Sequence, residues 1–80
     1  MIDIQQLAQM IQDLTAMSYA RTDQQGLKIY QSILERLKLC QSDENARELH
    51  RLLCNALLGM EAHGFFQKDE WQIIERIRAL

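Results

Sequence analysis

One stretch, Ser42 to Gly64, reads SDENARELHRLLCNALLGMEAHG and leaves the chain little choice but α-helix. Ala46, Leu49, His50, Leu53, Ala56, Leu57 and Met60 recur three and four residues apart, which is one face of a helix. Ser42 is suited to cap the start, because its hydroxyl can accept a bond from an unpaired amide of the first turn. Asp43 and Glu44 follow, where negative charge meets the positive end of the helix dipole. Gly64 can adopt the left-handed conformation that ends a helix. The helix is thus expected over about residues 43–63. Leu52, Cys54 and Leu58 widen its apolar face beyond one stripe, so cover is expected on more than one side, with this helix at the centre.

The remaining sequence supplies three more helices. Ile4, Leu7, Ile11 and Leu14 form an inward seam over about Asp3–Ala20, with Asp3 as cap and Gln6 at capping-box spacing. Helix two is expected over about Asp23–Cys40, with Thr22 and Gln25, or Asp23, as its cap. Its inward residues are Leu27, Tyr30, Ile33, Leu34, Leu37 and Cys40. Gln41 and Ser42 make a joint so short that helices two and three should be antiparallel neighbours. Phe66, Gln67, Glu70 and Trp71 combine the spacings of a hydrophobic staple and a capping box. They open a short last helix that buries Ile73, Ile74, Ile77 and Leu80. A helix this short is marginal alone and must be held by docking, with Phe66 and Trp71 as anchors.

The fold class read from these patterns is all-α: a small bundle of three long antiparallel helices plus a short C-terminal helix. At 80 residues it is a single helical domain, 1–80. A domain of that size buries only about 60–65% of its unfolded surface, so a lone monomer is marginal. An apolar fraction of 48% therefore suggests either a decent core or one shared with a second copy. Proline is absent and glycine occurs only at Gly26, Gly59 and Gly64, which argues against an all-β fold and against linkers.

The formal net charge of -2, with both signs interspersed, is unlike the footprint of a protein that lives on phosphate backbones. No apolar run approaches the roughly 18–20 residues that span a bilayer, so no membrane association is expected. The N-terminus has neither a basic region nor a continuous apolar core, so it is not expected to be a signal peptide. Cys40 and Cys54 sit within apolar helical patterns and are expected as reduced thiols in a cytoplasmic protein.

Chemistry-bearing motifs are thin. His50 and Cys54, four apart on one helix face, have a spacing that zinc can bridge. The other ligands could come only from Cys40 and His63, and His63 lies more than two turns beyond Cys54. No metal and no cofactor are expected. No catalytic residue is assigned either: there is no phosphate loop or nucleophile elbow, and both cysteines occupy core spacings.

Two binding readings remain. Met10, Met17, Ile29, Leu39, Leu52 and Leu58 fall at the edges of a one-sided core or outside it, and are the candidate protein contacts. The reading is a non-catalytic module that regulates, chaperones or inhibits a partner protein by docking an apolar helix face, and that forms a homodimer. Size and class, though no motif, suit the small helical accessory proteins of bacteria and phages. The alternative is a small DNA-binding regulator reading with the C-terminal helix through Lys68, Gln72, Arg76 and Arg78. Asp69 and Glu70 interrupt that patch, so nucleic acid is the less favoured partner.

Overall fold

The computed structural model describes residues 2–20, 26–62 and 66–80. Among these the chain forms four α-helices and no strand: α1 (Ile4–Ala20), α2 (Leu27–Lys38), α3 (Asp43–Glu61) and α4 (Lys68–Arg78). This is the small helical bundle with a short C-terminal helix that the periodicity predicts.

The helix starts follow the capping chemistry of the sequence. Asp3 Oδ1 accepts from the Gln6 amide at 3.1 Å. Ser42 is extended, with φ -147 and ψ 156, and its hydroxyl accepts from the Asn45 amide at 3.2 Å. The Gln67 amide donates to Glu70 Oε1 at 3.0 Å, and the Phe66 and Trp71 rings meet edge to face with centroids 5.4 Å apart. The staple and the carboxylate cap of α4 are therefore both formed.

Helix two is shorter than expected. It starts after Gly26; the proposed capping residues Thr22, Asp23 and Gln25 lie outside the described residues. Its end is Lys38 instead of Cys40, because the last turn tightens into i→i+3 bonds: Leu39 N to Arg36 O at 3.1 Å and Cys40 N to Leu37 O at 3.2 Å. The extended Ser42 cap requires the chain to leave the helix before it. At 12 residues α2 is barely longer than α4, which has 11, so only α1 and α3 are long. Helix three ends at Glu61, capped by Ala62; the expected stop at Gly64 lies outside the described residues.

The core draws on every helix: Leu7, Met10, Ile11 and Leu14; Tyr30, Ile33 and Leu37; Ala46, Leu49, Leu53, Leu57 and Met60; Ile73, Ile74 and Ile77. Each fully buried side chain of this size stabilises the fold by about 1.5–3 kcal/mol relative to exposure. Helix α1 packs against α2 and α4, and α3 likewise packs against α2 and α4, so the four helices close a ring around one interior. Helix α3 is thus one wall of the bundle and not its wrapped axis, which corrects the expectation of a central helix. Each helix contributes one apolar stripe, and those stripes together suffice to fill a small interior.

Three contacts fix the directions. Gln31 Nε2 donates to Tyr19 Oη at 3.2 Å, joining the end of α1 to the first turns of α2. A Cβ on Gly26 would lie 3.1 Å from Met60 Sδ, so the start of α2 touches the end of α3. The Ile2 amide donates to Asp43 Oδ1 at 2.9 Å, bringing the starts of α1 and α3 to the same end. Consecutive helices among the first three are therefore antiparallel, as the short joints imply. Leu80, expected to point inward, is 37% exposed: α4 ends at Arg78 and its last turn tightens, with the Leu80 amide donating to Ile77 O at 3.1 Å. No helix among the described residues is long and apolar enough to cross a membrane.

Candidate protein-docking surface

A closed ring leaves each helix with an outward side, and two of those sides carry leucine. Leu39 is 80% exposed and Leu52 is 42% exposed. Leu39 caps α2 at the tightened turn, off the inward stripe set by Tyr30, Ile33 and Leu37. Leu52 sits on the shoulder of α3, between inward Leu49 and Leu53 on one side and exposed Glu48 on the other.

Between the two helices runs an open groove made of two adjoining depressions. One is lined by Leu39, Cys40, Asn45, Glu48 and Leu49; the other by Lys28, Ile29, Ser32 and Ile33. Arg36 and Leu52 border both. The floor is apolar, from Ile33 and Leu49, and the rim is charged, from Lys28, Arg36 and Glu48. An apolar floor supplies contact area, and a mixed rim selects what can approach. The antiparallel pairing of α2 with α3 brings Arg36 and Glu48 to the same depression.

The other candidate contacts are scattered. Met10 is 1% exposed and belongs to the core, on the stripe with Leu7, Ile11 and Leu14, so its assignment to a surface is corrected. Met17 and Ile29 are half-buried and pack against the core. Leu58 is 60% exposed, but six residues beyond Leu52 it stands about 120° away around α3 and borders a different face. Tyr19, 57% exposed, is a large exposed side chain that the sequence reading passed over, because aromatic residues in helices are usually core.

The outer ridge of α3 beside the groove carries Glu44, Arg47, Glu48 and Arg51, all exposed. Arg47 Nε pairs with Asp43 Oδ2 at 2.8 Å. The Ile2 amide, and behind it the Arg47 guanidinium, hold the Asp43 carboxyl below its ordinary value of 3.8.

The nucleic-acid alternative is not assembled in the same way. Lys68, Gln72 and Arg76 are exposed along one side of α4. Arg78 turns elsewhere: its Nη2 donates to Glu61 Oε2 at 2.7 Å, and its guanidinium lies 5.7 Å from the Trp71 ring centroid. That arginine holds α4 to the end of α3 and is spent on the fold.

The His50 and Cys54 pair also has a structural explanation. His50 Nε2 lies 2.6 Å from the Ile77 carbonyl oxygen, which makes that nitrogen the protonated donor and ties α3 to α4. Cys54 Sγ is 3.6 Å from the same nitrogen. Burial pushes the Cys54 thiol up from its ordinary value, with Arg78 opposing in part, so the thiolate needed for attack or ligation is disfavoured. His63 lies outside the described residues, and among these no three His, Cys, Asp or Glu side chains converge as metal ligands. Both cysteines are free.

No family model matches the chain, and neither the curated proteins nor the solved structures contain a match to it.

Proposed function

We propose that this chain is a non-catalytic protein-binding module that docks a protein on the α2–α3 face and so regulates, chaperones or inhibits what it binds. The observation that carries this reading is the pair of exposed leucines, Leu39 and Leu52, bordering an apolar groove with charges of both signs on its rim. The bundle closes its core without them, so their apolar surface contributes little to folding in the isolated chain. Desolvating them against a partner is worth about 25 cal/mol per Å² of apolar area, before the cost of association. Two free cysteines, one of them with a raised thiol, suit the reducing cytoplasm.

The double variant Leu39→Gln with Leu52→Gln tests the reading. Stability should fall by no more than about 2 kcal/mol, since Leu39 is 80% exposed, Leu52 is 42% exposed, and glutamine is a good helix former. Crosslinking inside host cells should give a discrete adduct with the parent chain and lose it with the variant. An adduct that persists at the parent yield contradicts docking at this face.

A further inference from the structure

We draw no further inference here: the strongest candidate, the groove between α2 and α3 bordered by the exposed Leu39 and Leu52, is the docking surface already described, and nothing in the structure shows what covers it.

Discussion

Single atoms decide several features of this fold. Asp43 Oδ1 and Oδ2 hold the Ile2 amide and Arg47 respectively, tying the N-terminal segment to the start of α3. A carboxyl depressed in the folded state stabilises fully above its unfolded value and loses that contribution as pH falls through the folded one. Asp43→Asn should therefore lower the urea midpoint at pH 7, and the gap to the parent should narrow as pH falls from about 5 to about 2. A gap independent of pH would show that the carboxylate charge is irrelevant. Gly26 and Gly59 differ in kind. Gly26 has φ -77, open to any residue, so it is space against Met60 and Tyr30 that glycine supplies there. A Cβ on Gly59 meets nothing within 4 Å. Gly59→Ala should raise unfolding stability by about 0.5–1 kcal/mol in urea titration, since helix interiors favour alanine. A loss would place something close against that backbone. Glu70 marks a limit of sequence reading at this scale. Its capping role is visible in its spacing from Gln67, but its burial, 1% exposed, arises only once α4 docks.

At the scale of elements, α4 depends on its entry. With 11 residues it is too short to persist alone, and the edge-to-face pair of Phe66 and Trp71 fixes its angle. Trp71→Ala removes that pair and the surface beneath the Arg78 guanidinium. It should cost about 2–3 kcal/mol, with amide exchange rising first in α4. Uniform exchange across all four helices would mean that α4 is not a separable unit. Ser42→Ala should cost about 1 kcal/mol by leaving the Asn45 amide without its cap. Helix identity and inward stripes were legible because period and capping chemistry are local properties. The end of α2 was not: Leu39 and Cys40 continue an apolar pattern, and what stops the helix is the extended conformation that Ser42 needs to begin the next one.

At the scale of the molecule, four stripes around one interior replace the single buried rod that the apolar width of residues 43–63 suggested. Leu52 and Leu58 widen that stretch without being enclosed by it. Sequence cannot separate a helix wide because it is wrapped from one wide because it binds; the ring of neighbours decides, and that ring is a tertiary fact. The reverse error befell Met10, whose place on the stripe with Leu7 and Leu14 is plain once α1 is seen to have neighbours on two sides. The docking groove was half legible: Leu39 and Leu52 stood out as surplus, whereas Arg36 and Glu48 come to line one groove only through the pairing of α2 with α3.

Photocrosslinking inside host cells tests the central claim, that the α2–α3 face is where another protein sits. A photoreactive side chain at position 39 or 52 should trap one discrete adduct, and the same probe at exposed Gln12 or Glu75 should trap none. Equal trapping at all four positions, or none at 39 and 52, would contradict it.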